Sequence, residues 1–400
     1  MRHDSTLPSI DAESSPALRV HLVAHHHLDR AAGVSGATLS LGAALAKRGC
    51  TVSYYSFDDA FGVSPSANEI GRMLRFPWRV ADHLASAGAP YDVVDATTGD
   101  GWVWARRSRP GNPRAALVTR SHGLEHVVVN DLRQRARAGE VTLSRKYALY
   151  HGGFRLWEVR RSLTSADAQI FLNDTDRDYA MQSLGVSDTT SVVLPNGVPD
   201  ALLDLPRILP VPGDAPISLA FVGSWIPRKG MHAVVAMASA LRARNVAFTL
   251  RLLGTGVDAA AVLDAFSSDV RGQVTVQPKY EPEQLPALLA QSEVLLHPSW
   301  TEGFSLALVE GMACGLTPIA TRSGGATTVI RDGENGLLLD EGSGVALADA
   351  VVRLSGDRDR LARLQVAAQE AMSPLRWDRV AAQTIDVYRA ALARRRGVAS

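Results

Sequence analysis

The chain has 400 residues, enough for two domains of ordinary size, and 46% of them are hydrophobic, enough for a sizeable core in each. A formal net charge of +1 excludes a chain-wide nucleic-acid signature, and two cysteines, Cys50 and Cys314, exclude a disulfide framework and fit a reducing compartment. Residues 1–16 are polar, which reads as a loose tail rather than a signal peptide, and no apolar run approaches the roughly 20 residues that span a bilayer, so the chain is expected to be soluble and cytoplasmic.

Residues 18–24 are apolar apart from Arg19 and His21 and read as a buried strand. A loop over 25–36 leads into a helical pattern at Leu39, Leu41, Ala44 and Leu45, ended by Gly49, and residues 51–57 form the next strand. This opening argues for a parallel sheet. His25, His26 and His27 are consecutive at a strand end, where side chains alternate in direction, so they suit one shared metal ion poorly. The acidic pairs Asp58-Asp59, Asp176-x-Asp178 and Asp357-x-Asp359 are also assigned no metal, the last two lying in helical stretches that read as solvated.

Strands follow at 91–96 and 115–119. The second delivers Arg120-Ser121-His122-Gly123-Leu124-Glu125 at its carboxyl end, where open α/β sheets bind ligands. Between Trp102 and Arg161 thirteen Lys and Arg stand against four acids, alongside Trp102, Trp104, Phe154 and Trp157. The region fits a surface that meets an anionic acceptor or a membrane face, or else ordinary solvated helices. No nucleic-acid-binding motif accompanies the charge. Strands at 167–172 and 191–194 precede the turn string Pro195-Asn196-Gly197-Val198-Pro199, and residues 205–216, with four prolines, read as a linker.

In the second half a strand at 217–222 delivers Gly223-Ser224-Trp225-Ile226-Pro227-Arg228-Lys229-Gly230. The strand at 248–253 is followed by Gly254-Thr255-Gly256-Val257-Asp258-Ala259, which fits a dinucleotide-binding fingerprint. That reading requires an acid at the end of the next strand, and residues 273–277 end in Gln277 and Pro278, so a dehydrogenase fails there. A strand at 294–296 then runs through a loop into a helix beginning near Phe304, with Leu306, Leu308, Val309 and Met312 at helical spacing and Gly315 as its stop. The free N–H groups of residues 303–306 form a ready site for a diphosphate. Glu302 and Glu310 flank it, up to about 12 Å apart at about 1.5 Å per helical residue, and can hold opposite ends of one extended ligand.

Glu302-x7-Glu310, with Gly303-Phe304 behind the first Glu and Gly324-Gly325 fourteen residues after the second, resembles the retaining glycosyltransferases of family 4 (group 1). The resemblance implies the GT-B architecture: two Rossmann-like parallel-sheet domains facing a cleft, with a C-terminal helix crossing back to the first domain. The implied boundaries are a tail at 1–16, an acceptor-binding domain at 17–204, the linker at 205–216, a nucleotide-sugar domain at 217–376 and a crossover helix and tail at 377–400. It also implies roles. Lys229 and Arg228, beside Gly223 and Ser224, would neutralise the donor diphosphate, and Gly303, Phe304, Ser305 and Leu306 would offer it backbone N–H groups. Glu302 would hold the donor sugar's hydroxyls and Glu310 the ribose, with Gly254 and Tyr280 near the nucleotide. Gly33 and Gly36 match the family's first glycine loop, and His122 and Glu125 its motif facing donor sugar or acceptor.

Lys229, Glu302 and His122 are thus the expected catalytic residues of a hexose transfer that retains anomeric configuration and needs no metal. No tightly bound cofactor is expected. The co-substrate is a UDP-, GDP- or ADP-sugar, and the acceptor a sugar, lipid or polysaccharide. Ser224 departs from the pattern, standing where the family usually has an Arg, and Thr328 stands where it often has a Glu. The missing Arg motivates the alternative of a non-catalytic nucleotide-sugar-binding or partner protein. A phosphorylase has no feature in its favour.

Overall fold

A computed structural model describes residues 17–30, 32–63, 68–86, 91–107, 109, 115–206 and 215–397. The expected N-terminal tail and most of the expected linker lie outside these residues. Two six-stranded parallel sheets carry the chain. The first holds β1 (Arg19–Ala24), β2 (Thr51–Ser56), β3 (Val93–Thr97), β4 (Ala116–Arg120), β5 (Ala168–Phe171) and β6 (Ser191–Val193) in the order β2-β1-β3-β4-β5-β6. The second holds β7 (Ile217–Val222), β8 (Phe248–Leu253), β9 (Val274–Gln277), β10 (Val294–His297), β11 (Thr317–Thr321) and β12 (Leu337–Leu339) in the order β12-β11-β10-β7-β8-β9.

Central strands in such sheets are covered on both faces and read as near-continuous apolar runs. Accordingly β3, β4, β5, β10 and β11 are buried along their whole length. Each sheet reverses its strand order once. In the first, Val20 of β1 pairs with Val52 on one side and Val93 on the other. In the second, Leu219 of β7 pairs with Leu250 on one side and Val294 on the other. The loops leaving the carboxyl ends of β1 and β3, and of β7 and β10, therefore diverge around two crevices, where ligands bind in open α/β sheets.

The helix Trp377–Arg395 returns to the first sheet. Its Val380, Ile385, Tyr388 and Leu392 share one buried cluster with Val20, Leu22 and Leu41. The return is pinned by the Val198 N–H donating to Leu375 O at 2.6 Å. At its far end the Tyr388 hydroxyl donates to Asp95 Oδ2 at 2.6 Å, and the Arg120 guanidinium donates to the same oxygen at 2.9 Å.

Strand ends shift by a residue or two from the expected ranges, and three differences bear on packing. The first helix starts at Gly33, so the glycine segment is its first turn rather than a loop. β4 extends to Arg120, whose side chain is buried against Asp95 instead of entering the following loop. The helix expected near Phe304 starts at Leu306, because Ser305 stays extended and caps it by accepting from Leu308 N–H at 3.4 Å.

The buried Asp95–Arg120–Tyr388 network sets a stability prediction. Asp95→Ala strands a buried guanidinium and should cost about 3–5 kcal/mol, whereas Tyr388→Phe removes one hydrogen bond and should cost about 1–2 kcal/mol. Urea unfolding of both variants checks the ranking; equal losses would contradict it.

Candidate active site

The second crevice is built by the loops after β7 and β10. Residues Pro227–Lys229 form a single tight turn ended by Gly230, whose φ of 82° favours glycine. A Cβ there would overlap the Pro298 carbonyl, so the turn is seated directly on the neighbouring loop. The Trp300 N–H donates to Arg228 O at 2.9 Å and ties the two together. This seating brings Lys229 Nζ to 2.6 Å from Glu302 Oε1, with Arg228 Nη1 3.4 Å from the same oxygen and 3.2 Å from Thr301 O. Burial pushes the Glu302 carboxyl up, but Lys229, His297 and Arg228 outweigh it and hold the group below its ordinary range. Ser224 is exposed. The second cation at this carboxylate is Arg228.

His297 ends β10 beside this group, and burial lowers it to about 4, so it is neutral. Its Nε2 is buried without a partner. Its place at the carboxyl end of a central strand was a signal the sequence reading passed over.

Around the cations, Gly223 has a φ of 143°, and a Cβ on it would lie 4.0 Å from the Lys229 stem. The Gly325 N–H donates to Glu302 O at 3.0 Å and joins the double-glycine segment to the same loop. The Phe304 side chain is buried in the core, so only its backbone faces the site. Ser305 satisfies the third N–H of its helix, which leaves those of Leu306 and Ala307 without intrahelical acceptors. Farther along, the Glu310 side chain makes no hydrogen bond or ion pair among the described residues, and burial raises its carboxyl to about 7. Tyr280 is its neighbour: burial and then the Glu310 charge push the phenol up to about 12. Tyr280 also closes over Gly254, where a Cβ would meet its ring at 3.0 Å.

The first crevice opens into a cavity of about 400 Å³ lined by His25, His26, Ser35, Thr98, His122 and Glu125, among others. All three consecutive histidines line it, and the first and third are held by different acids. His25 Nδ1 lies 2.8 Å from Asp100 Oδ2, and His27 Nδ1 lies 2.6 Å from Asp58 Oδ1. Burial drives His26 down to about 4 and His122 well below its usual value, so both are neutral; His26 Nε2 and His122 Nδ1 have no hydrogen-bond partner among the described residues. Beneath them lies Arg155, which donates to Thr98 O at 2.6 Å and pairs with Glu125 at 3.3 Å, with Glu158 and Asp100 at 3.7 and 3.9 Å. Of the two expected loop glycines, Gly33 is open to solvent. Gly36 is needed for packing, since a Cβ there would sit 2.6 Å from Arg30 O.

The two crevices meet at glycine. A Cβ on Gly303 would overlap Gly123 Cα and the His122 carbonyl. Asn173 Nδ2 donates to Gly303 O at 2.7 Å and to Asp176 Oδ2 at 3.0 Å, and Asp176 accepts from Leu124 N–H at 2.9 Å. Asp176, expected to be solvated, is therefore buried at the hinge of the His122 loop; burial raises it to about 6. Arg135 closes the outer edge with its guanidinium 4.3 Å from the Trp300 ring centroid.

Two predictions follow from this geometry. Gly303→Ala keeps the backbone N–H expected to meet the diphosphate, so nucleotide affinity should hold, while wedging the loops apart should lower turnover by at least about tenfold. An equal loss of both would contradict that division. The folded chain holds Glu310 protonated up to about pH 7 against an ordinary 4.5, so its contribution to stability is lost as pH rises across that window. Glu310→Gln should thus raise the unfolding temperature of the ligand-free protein at pH 8 and not at pH 4; a pH-independent shift would contradict the burial argument.

Residues 31–202 match the family model described as Glycosyltransferase Family 4, and residues 216–357 match Glycosyl transferases group 1. Among curated relatives, the D-inositol 3-phosphate glycosyltransferase of Nocardia farcinica is 33% identical over 182 residues, covering 44% of this chain and 40% of the relative. The chain thus matches less than half the length of that relative. A sucrose-phosphate synthase from Thermosynechococcus elongatus superposes with a TM-score of 0.72 at 20% identity, covering 94% of this chain and 100% of the other. HepE of Anabaena, solved with UDP, superposes with a TM-score of 0.63 at 17% identity, covering 93% and 100%. With both halves matched in order and the GT-B fold shared, the chain belongs to the family 4, group 1 glycosyltransferases.

Proposed function

We propose that the protein transfers a sugar from a nucleotide-sugar donor to a hydroxyl acceptor, with retention of configuration and without a metal ion. The observation that carries this reading is the convergence of Lys229 and Arg228 on one Glu302 oxygen, beside a helix whose first N–H groups are free. A donor diphosphate placed there meets two cations and the positive end of the helix. Glu302 then turns from counter-ion to acceptor for the donor sugar's hydroxyls. Glu310 takes the ribose hydroxyls, and Tyr280 flanks the base, which is uracil, guanine or adenine. HepE was solved with UDP, which supports UDP as the first donor to try.

The acceptor enters from the His122 cavity. No basic nucleophile is required: the departing diphosphate takes the acceptor proton as the new bond forms on the same face, while Lys229 and Arg228 stabilise its growing charge. The neutral imidazoles of His26 and His122 offer hydrogen bonds to hydroxyls rather than charge to a phosphate. Arg155 is already surrounded by Glu125, Glu158 and Asp100. These features favour an uncharged, hydroxyl-bearing end on the acceptor, although the Nocardia relative is named for a phosphorylated inositol.

The non-catalytic alternative rests on Ser224, and Arg228 at Glu302 weakens it. Slow hydrolysis of UDP-, GDP- and ADP-sugars, read as nucleotide release, separates the two. Wild type should turn over one donor class, and Lys229→Ala should lower that rate by about 10²–10³-fold with the fold intact. Donor binding without turnover in wild type would leave only the binding-protein reading.

A further inference from the structure

We propose that the face built on the helices Glu69–Ser86, Trp102–Arg107, Arg145–Leu149 and Arg155–Ser165 docks on an anionic lipid bilayer. Ile70, Leu74 and Trp78 recur every fourth residue on the first of these helices and are 36, 37 and 45% exposed, while Phe76, Val80 and Ala81 of the same helix fill the core. The exposed stripe continues sideways. Trp78 packs edge-on against Trp102 at 6.0 Å, Trp102 against Trp157 at 4.9 Å, and Phe154 stacks on Trp157 at 5.5 Å. Phe154 and Trp157 are 43 and 39% exposed, and Leu149, on the adjoining helix, is 77% exposed. Large apolar side chains so placed from separate helices mark a contact surface.

The cations identify the partner. Guanidinium groups lie over two of these indoles, Arg107 at 5.2 Å from Trp78 and Arg161 at 5.5 Å from Trp157. Arg75, Arg79, Arg107 and Arg161 make no ion pair among the described residues. Within the basic 102–161 stretch Arg109, Arg120 and Arg155 are buried against Asp167, Asp95 and Glu125, so their charge does not reach this surface. Arg107 and Arg161, exposed on the face and stacked on its rings, carry its positive charge. Indoles and arginines side by side suit the headgroup layer of a bilayer, where apolar rings enter the acyl boundary and guanidiniums meet phosphates.

The face also adjoins the cavity described above. Phe154 precedes Arg155 in sequence, and Trp102 follows Asp100 by two residues; Arg155 and Asp100 both contact His25 in the cavity wall. A chain docked in this way presents that cavity next to the membrane surface. The docking claim itself does not depend on the glycosyl-transfer reading.

The test is co-sedimentation of the full chain with vesicles of phosphatidylcholine alone and with added phosphatidylglycerol, alongside tryptophan emission. Binding should require phosphatidylglycerol, weaken with salt and blue-shift the emission. Trp78→Ser with Trp157→Ser should weaken it at least about tenfold while leaving nucleotide-sugar hydrolysis unchanged, and Arg107→Glu with Arg161→Glu, which spare the aromatic rings, should do the same. Failure of wild type to bind either vesicle, or equal binding by both double variants, would overturn the proposal. So would equal affinity for a soluble polyanion such as polyglutamate, which would assign the face to an acidic macromolecule instead.

Discussion

The contact between Gly123 and Gly303 is the constraint on which the site depends. Two sheets that end in separate crevices make one reaction centre only if their loops touch, and here backbone meets backbone with no room for a Cβ. Asn173 and Asp176 hold that approach from the first domain, and the Gly325–Glu302 hydrogen bond holds it from the second. Each of these groups leaves the carboxyl end of a strand or the helix that follows it, so the parallel topology itself delivers them to one place. Domain closure is then a small adjustment of loops already in contact rather than assembly from a distance.

Electrostatics divide the two sides of this contact. The second domain places two cations and a helix terminus on one carboxylate, an arrangement that an incoming diphosphate can take over by exchanging partners. The first domain keeps His26 and His122 neutral, and Arg155 beneath them is paired with acids. The division suits a reaction in which charge moves onto one leaving group while the other substrate stays uncharged. The Glu310 side chain, raised to about 7 by burial, makes no hydrogen bond or ion pair among the described residues.

Much of this was legible in the sequence, and the reasons are physical. Lys229 and Glu302 lie on short glycine-punctuated loops after apolar strands and Glu310 on the helix that follows, so local pattern and the family resemblance together singled them out. The groups that organise the first domain could not be singled out in this way. Arg155 meets His25 across 130 positions, and Asn173 meets Gly303 across 130. Asp176 sits in a helix that looks polar throughout, and only the fold turns it inward. A count of charges likewise marked residues 102–161 as basic without showing that Arg109, Arg120 and Arg155 are buried counter-ions, or that Arg107 and Arg161 lie over Trp78 and Trp157.

The most direct measurement is a crystal structure with the nucleoside diphosphate of whichever donor binds. The terminal phosphate should lie within hydrogen-bonding reach of Lys229 Nζ and of the Leu306 backbone N–H, with the ribose on Glu310 and the His122 cavity left free. A nucleotide seated in the His25–His122 cavity, with Lys229 still paired to Glu302, would contradict that placement.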